Sequence, residues 1–338
     1  MGRGRGVAAA WAGVGLVLVA GCATPEAVDT DALRSRAVAL FGVVQPAPAQ
    51  DVVQPAAVLG RALFWDVRLS LDGKTACASC HAREDWSADR RALSINARGQ
   101  PTTLHSQPMF MAQDQVALRW YGDRKDGANQ AERSITGSMG FDNVGQMVGV
   151  LKANGYEERF RSAFPGDGEA LSSNHYAQAL AAYQRTLRTP APFDAFLRGD
   201  NRAIGMKAMA GLQKFMDFGC AGCHNGALVG GNSLQKFGVV KDYWLATGSK
   251  TIDTGRFAAT KQEADRYVYR VPMLRNVAKT APYFHDGSVA TLDRAVRVMA
   301  EVQLGRTLSD DDAADLTAFL ETLTGSPPEH YAPPTTNR

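Results

Sequence analysis

Cysteine is scarce in this chain. There are five in 338 residues, at positions 22, 77, 80, 220 and 223, too few for the dense disulfide framework of a small secreted scaffold. Charge of one sign is lacking too. Lys and Arg total 37 against 34 Asp and Glu, a net charge of +3, which leaves no electrostatic footprint for nucleic acid. Beyond the N-terminus no apolar run approaches the roughly 20 residues that span a bilayer. Strand-like alternation of any length is also missing, while amphipathic helical patterns are present.

What is there is a five-letter pattern, twice. "CASCH" occupies 77–81 and "CAGCH" occupies 220–224. Paired C-x-x-C motifs can build a zinc cluster, but the pairs then lie roughly 15–20 residues apart, and these do not. A zinc ribbon also has no need of a histidine fixed after each pair. C-x-x-C-H reads instead as c-type haem attachment. Two thiols bond to the haem vinyl groups and the next side chain reaches the iron. Cys77, Cys80 and His81 form one such set; Cys220, Cys223 and His224 form the other. Two covalently bound haem c groups are expected, with His81 and His224 as proximal ligands.

The N-terminus reads as an export signal. Arg3 and Arg5 precede an apolar run from Ala8 to Ala20, short for a membrane span but fitting a signal peptide. The run ends in "LVAGC", which resembles a lipobox. Cys22 would then be lipidated. An ordinary signal peptide cut nearby, leaving Cys22 as a stray thiol, is the alternative. The lipid reading gives the fifth cysteine a role and implies a periplasmic body anchored to the outer membrane, since Ala23 rather than Asp follows.

Residues 43–57, "VVQPAPAQDVVQPAA", read as an extended tether. A second break lies near "TLRTPAPFDAF" (186–196) and divides the chain into halves with one haem motif each. Leu292, Ala295, Val296 and Met299 share one helical face, with Thr291 as cap. Ser309 and Asp312 stand at capping-box spacing before Leu316, Phe319, Leu320 and Leu323, and Gly325 with Pro327 ends that helix.

"LGRALFWDVRLSLDGKTACASCH" (59–81), "FLRGDNRAIGMKAMAGLQKFMDFGCAGCHNG" (196–226) and "YRVPMLRNVAKTAPYFHDGSVATLDRAVRVMAEVQLG" (269–305) resemble the bacterial dihaem cytochrome c peroxidases. That superfamily also holds the dihaem enzyme that matures the tryptophan cofactor of methylamine dehydrogenase. The likeness covers most of 57–326 and is patchy over 82–145. It implies an all-α fold of two cytochrome c-like haem domains in tandem. A signal (1–21) and a lipid anchor with tether (22–57) would precede an N-terminal peroxidatic domain (58–187), a C-terminal electron-transfer domain (188–326) and a tail (327–338). It further implies Met299 as sixth ligand of the C-terminal haem, opposite His224, an arrangement that raises reduction potential. Core packing is the alternative for Met299, which lies on an apolar helix face. Trp120 in "LRWYGDR" resembles the tryptophan between the haems, and Gln130 the glutamine of the distal pocket.

The chain also departs from the pattern. After Gln130 the family's distal glutamate is missing: "QAERSITGSMGF" (130–141) puts Gly140 or Met139 in its place. Proton delivery by a positioned acid is worth about 10²–10⁴-fold, so restoring Glu at either position is expected to raise turnover. Glu132, Asp142 and His105 are candidate substitutes. Residues 82–104 contain no histidine to block the first iron, though Met109, Met111 or His105 could close it. Gly99 replaces an asparagine of the family's calcium site, while Thr280 and Pro282 match its backbone carbonyl donors. The resemblance implies a peroxidase that reduces hydrogen peroxide with electrons from a small cytochrome c or cupredoxin. A slow oxidase that modifies Trp or Tyr of a protein partner through a ferryl state, and a non-enzymatic electron carrier or redox sensor, are the alternatives. Nucleic acid is not an expected partner, and a homodimer is left open.

Overall fold

The computed structural model of the protein describes residues 29–335, together with Met1, Gly2, Gly4 and Gly6. The signal sequence and Cys22 therefore lie outside the described residues. Among the described residues thirteen α-helices follow one another: α1 Thr30–Leu40, α2 Ala49–Val52, α3 Pro55–Trp65, α4 Gly127–Thr136, α5 Val144–Ala153, α6 Glu157–Ala163, α7 Ser173–Arg185, α8 Pro192–Leu197, α9 Met206–Asp217, α10 Tyr243–Thr247, α11 Phe257–Thr260, α12 Leu292–Leu304 and α13 Asp310–Glu321. The protein is helix-rich, as expected. Against the all-α expectation, a two-stranded antiparallel ribbon is present, β1 Leu234–Lys236 with β2 Val268–Arg270. Strands of three residues are too short to show alternation. Among the described residues no helix is long and apolar enough to cross a membrane.

The late helices start where the side-chain chemistry says they should. Thr291 accepts from the Arg294 amide at the start of α12, and Ser309 from the Asp312 amide at the start of α13. These bonds satisfy donors that a helix N-terminus leaves orphaned. α13 then stops at Glu321, ahead of Gly325.

Two helix crossings repeat one device. α3 crosses α7 at Gly60, where an added Cβ would lie 1.9 Å from the Ala179 carbonyl oxygen and 2.8 Å from Cβ of Tyr183. α9 crosses α13 at Gly211, where it would lie 1.9 Å from the Asp315 oxygen and 3.0 Å from Cβ of Phe319. Only glycine permits either approach. In each case the glycine helix precedes a C-x-x-C-H motif, and the partner carries an aromatic four residues after the contacted carbonyl.

Apolar side chains gather around these crossings. One cluster holds Leu63, Phe64, Ile135, Leu151, Phe160 and Tyr183. A second holds Phe193, Leu212, Phe215, Leu316, Phe319 and Leu320. A smaller aromatic group, Phe237, Tyr243 and Tyr269, packs with Val298 and Val302 of α12. The chain ends cross between the two larger clusters. α1 lays Leu33 and Ala37, with Phe41 beyond it, into the second cluster, while Tyr331 is fully buried in the first. Residues 30–44, part of the stretch expected to be an anchor and tether, thus carry core side chains. The periodicity of α1 is weak, and its packing partners lie more than 150 residues away.

A buried ion pair ties the α1 segment down. Asp194 of α8 and Arg275 are both fully buried and paired at 2.8 Å. Asp194 also accepts from the Val44 amide (2.7 Å), and Arg275 donates to the Ala227 carbonyl (2.9 Å), just beyond the second motif.

Candidate functional site

The second motif folds as a single tight turn, Cys220–Gly222, entered through Gly219 at φ +96°. The His224 amide donates back to the Cys220 carbonyl at 2.9 Å. That turn brings Cys220, Cys223 and His224 to the wall of one apolar cavity. His224 Nδ1–H donates to the Val229 carbonyl at 3.4 Å. A carbonyl can only accept, so Nε2 keeps its lone pair for a ligand, the usual orientation of a metal-binding histidine. Burial pushes the His224 pKa down to about 4, so the ring is neutral, the form that binds metal. Gly230 makes room for it: a Cβ there would lie 3.0 Å from Nδ1 and 2.3 Å from the Pro272 oxygen.

α12 brings Met299 to the same cavity. A neutral imidazole, a thioether and two unpaired thiols form a donor set that fits a covalently held haem. One more feature supports the fit. Arg270 lines the cavity at 1% exposure, yet it bonds only to the Gln115 side-chain oxygen and to backbone carbonyls of Arg119 and Val271. Burial lowers its pKa to about 10. A buried guanidinium without a carboxylate is costly, and a haem propionate is an anion of the right kind.

The first motif folds the same way. Cys77–Ser79 form the turn, and the His81 amide donates to the Cys77 carbonyl at 3.1 Å. His81 Nδ1–H donates to the Ser87 carbonyl at 2.9 Å, again freeing Nε2. Burial lowers the His81 pKa and raises that of the Cys77 thiol to about 12. The surroundings differ. The Tyr331 hydroxyl donates to the His81 carbonyl at 2.5 Å and lies 2.8 Å from Ser87 Oγ. Arg83 donates to the carbonyls of Pro328 and Tyr331. The sequence reading placed Tyr331 in a tail. Its only local signal is an aromatic within a Pro-rich segment.

The sixth-ligand candidates at the first site separate. Met109 packs half-buried against the same cluster as Cys77. Met111 is fully buried, and its sulfur accepts from the Thr189 hydroxyl at 3.9 Å. His105 is buried. Its Nδ1 donates to the Arg91 and Ala92 carbonyls (3.1 and 3.2 Å), and its ring lines the His224 cavity.

Gln130 sits on α4 with its Oε1 buried and without a hydrogen-bond partner. The residues considered for the distal acid are placed as follows. Met139 is a core residue at 3% exposure. Gly140 has φ +77°, and its added Cβ would lie 3.2 Å from both Ala97 Cβ and Arg98 Cγ. Glu132 is exposed. Asp142 is exposed and bonded to Arg98, whose hydrogen bond holds the carboxylate below its usual range.

Trp120 shares the His224 cavity. Its indole N–H donates to the His105 carbonyl at 2.9 Å, and its own carbonyl accepts from the Arg270 amide at 2.7 Å. Thr280 and Pro282 stand in the same wall. Among the described residues no group of three or more His, Cys, Asp or Glu is placed to hold a metal ion.

The chain is similar to several known proteins. The model of the family described as di-haem cytochrome c peroxidase matches residues 54–202. Cytochrome c551 peroxidase of Pseudomonas aeruginosa is 39% identical over 316 residues, 90% of each chain. Methylamine utilization protein MauG of Methylorubrum extorquens is 33% identical over 300 residues, 83% of this chain and 82% of that one. Among solved structures, a MauG-like protein associated with microbial copper homeostasis superposes with a TM-score of 0.71 at 25% identity, covering 86% of this chain and 96% of the other. The diheme peroxidase BthA of Burkholderia thailandensis (TM-score 0.68, 19% identity, 86% of this chain and 88% of that one) shares the fold.

Proposed function

The chain belongs to the dihaem cytochrome c peroxidase family, an oxidoreductase family with covalently bound haem c, and from that premise we propose that it reduces hydrogen peroxide to water in the periplasm with electrons from a small cytochrome c or cupredoxin. The observation that carries this reading is the unequal pair of C-x-x-C-H turns: both offer an oriented imidazole, and the second shares an apolar cavity with the Met299 thioether. Residues 58–187 and 188–326 are each assigned one haem. The matched crossings at Gly60 and Gly211 support that division. Lipidation at Cys22 is proposed to hold the protein at the outer membrane.

Cys77 with Cys80, and Cys220 with Cys223, are the attachment positions; His81 and His224 are the proximal ligands, and Met299 the sixth ligand of the second site. When bound, haem supplies the iron that accepts electrons and the iron at which the O–O bond breaks. The residues do the rest. Ser87 and Val229 fix the imidazole tautomers. Arg270 neutralises a propionate. Trp120 stands in the wall of the second site as the bridge towards the first. Gln130 presents an amide to the peroxide site. No side chain at 139 or 140 can carry a proton, so protons reach the peroxide through water and turnover is slowed. The same gap favours the second reading, slow oxidation of a Trp or Tyr on a protein partner.

Anaerobic addition of peroxide to half-reduced, haem-loaded protein, followed by absorbance, tests the reading. The expected result is consumption of one peroxide for two electrons, with steady oxidation of a reduced cytochrome c when that is supplied. Absence of any reaction with peroxide would leave an electron carrier or sensor as the function.

A further inference from the structure

Behind Trp120 lies an aromatic group that the peroxidase reading does not use. Tyr121 and Tyr269 donate to the two oxygens of one carboxylate. The Tyr121 hydroxyl reaches Asp253 Oδ2 at 2.5 Å, and the Tyr269 hydroxyl reaches Oδ1 at 2.6 Å. The Gly255 amide also donates to Oδ1, at 2.7 Å. Among the described residues no Lys, Arg or His forms an ion pair with Asp253, whereas Arg256, three residues on, is turned to Asp265. Tyr243 braces the arrangement from behind: its hydroxyl donates to the Asp253 backbone carbonyl at 2.9 Å and accepts from the Asp253 amide at 3.0 Å. Burial, then Asp253, raise the pKa values of both Tyr121 and Tyr269 above the ordinary phenol range. Each is therefore a neutral phenol held against a carboxylate that no cation occupies.

The group is wired to Trp120 on one side and reaches towards solvent on the other. The His285 ring lies 6.4 Å from Trp120 and 4.7 Å from Tyr269. The Trp120–Tyr121 and Tyr269–Arg270 segments are joined by the Arg270 amide on the Trp120 carbonyl. Outward, Tyr243 lies 5.2 Å from Trp244, which lies 5.0 Å from Tyr267; both of these are partly exposed.

We propose that Tyr121, Tyr269 and Asp253 form a second redox-active site, at which a phenol releases an electron to an oxidising equivalent left by peroxide cleavage and its proton to the Asp253 carboxylate. The balance is simple. One electron fills the hole at or beyond Trp120. The phenolic O–H breaks, its proton forms an O–H bond on Asp253, and a neutral tyrosyl radical faces a carboxylic acid. A reductant arriving at Trp244 or Tyr267 returns one electron through Tyr243, and Asp253 returns the proton. Proton acceptance by a carboxylate at 2.5–2.6 Å distinguishes Tyr121 and Tyr269 from Tyr243, whose hydroxyl donates to the Asp253 backbone carbonyl. The site gives oxidising equivalents an exit when the distal pocket is slow, and it takes as substrate a one-electron reductant at the protein surface.

The proposal rests on the peroxidase reading for its oxidant, so the test has two arms. In the first, half-reduced haem-loaded protein grown with ring-deuterated tyrosine is mixed with peroxide, frozen, and examined by electron paramagnetic resonance. A tyrosyl signal narrowed by deuteration is expected. It should fall at least tenfold in Tyr121→Phe/Tyr269→Phe, and fall in Asp253→Asn, while haem absorbance and peroxide consumption are retained. In the second, a photoexcited ruthenium complex with a sacrificial quencher supplies the one-electron oxidant without peroxide. The same residues should again carry the radical. If peroxide is not consumed but the photochemical arm yields the signal, the site stands and the peroxidase reading falls. If peroxide is consumed and the signal is absent, or unchanged in the double variant in both arms, the site is refuted. Circular dichroism of the Phe variants confirms that a lost signal is not lost fold.

Discussion

The two C-x-x-C-H turns are near-copies that end in different places. Each closes a tight turn with a histidine amide on the first cysteine's carbonyl, and each fixes its imidazole through Nδ1 on a backbone carbonyl five or six residues on. The second opens on an apolar cavity with Met299 across it. The first is roofed by packed aromatics and by the C-terminal segment through Tyr331 and Arg83. The motif therefore determines attachment and the proximal side only. What the iron is used for is decided by residues that arrive from elsewhere: from α12 in one case, from α4 and the chain's end in the other.

That contrast can be pressed at five points. The largest effect is expected at the brace behind the second motif. Asp194→Asn leaves Arg275 buried without its counter-charge, which typically costs about 3–5 kcal/mol, and chemical denaturation should register it. Met299→Ala should come next. One of two reduction potentials in a redox titration should fall by about 0.1 V or more, a fraction of the ~0.8 V over which axial ligation tunes haem. Met109→Ala should leave both potentials in place if the two sites are as unlike as they look.

Gly140→Glu tests the distal side of the first site. The sequence alone suggests it would restore an acid and speed turnover. The backbone at φ +77° and the contacts with Ala97 and Arg98 predict instead a loss of about 1–2 kcal/mol, the usual cost of left-handed backbone for a non-glycine residue, with no gain in peroxide turnover. The smallest effect belongs to Tyr331→Phe, which deletes one hydroxyl on the His81 carbonyl and Ser87. A loss of about 1 kcal/mol is expected, seen as faster hydrogen exchange in residues 81–88 while the second motif is unchanged.

Much of this was legible in the sequence because it is local. A C-x-x-C-H turn needs five residues, and α12 and α13 announce themselves by cap and period. What was missed depends on distance along the chain. Nothing near Phe41 says that it will pack on Phe193 at 5.6 Å. Nothing near Asp253 says that two tyrosines from 121 and 269 will share it. His105 and Asp142 were candidates by spacing, but the first is drawn away by two backbone carbonyls and the second is held at the surface by Arg98. Gly60 and Gly211 read as ordinary helix-weakening glycines until the facing helix is in view.

The Tyr331 contact also imposes a schedule. His81 and Tyr331 are 250 residues apart. At the roughly 5–20 residues per second of translation, about 10–50 s pass between the synthesis of the first attachment motif and that of the hydroxyl that holds its loop. The second motif waits less, because its own brace at Arg275 follows after about 3–10 s at the same rate and α1 is already made. A chain delivered N-terminus first would therefore hold the residues that brace the second motif before Tyr331 arrives to close the loop of the first.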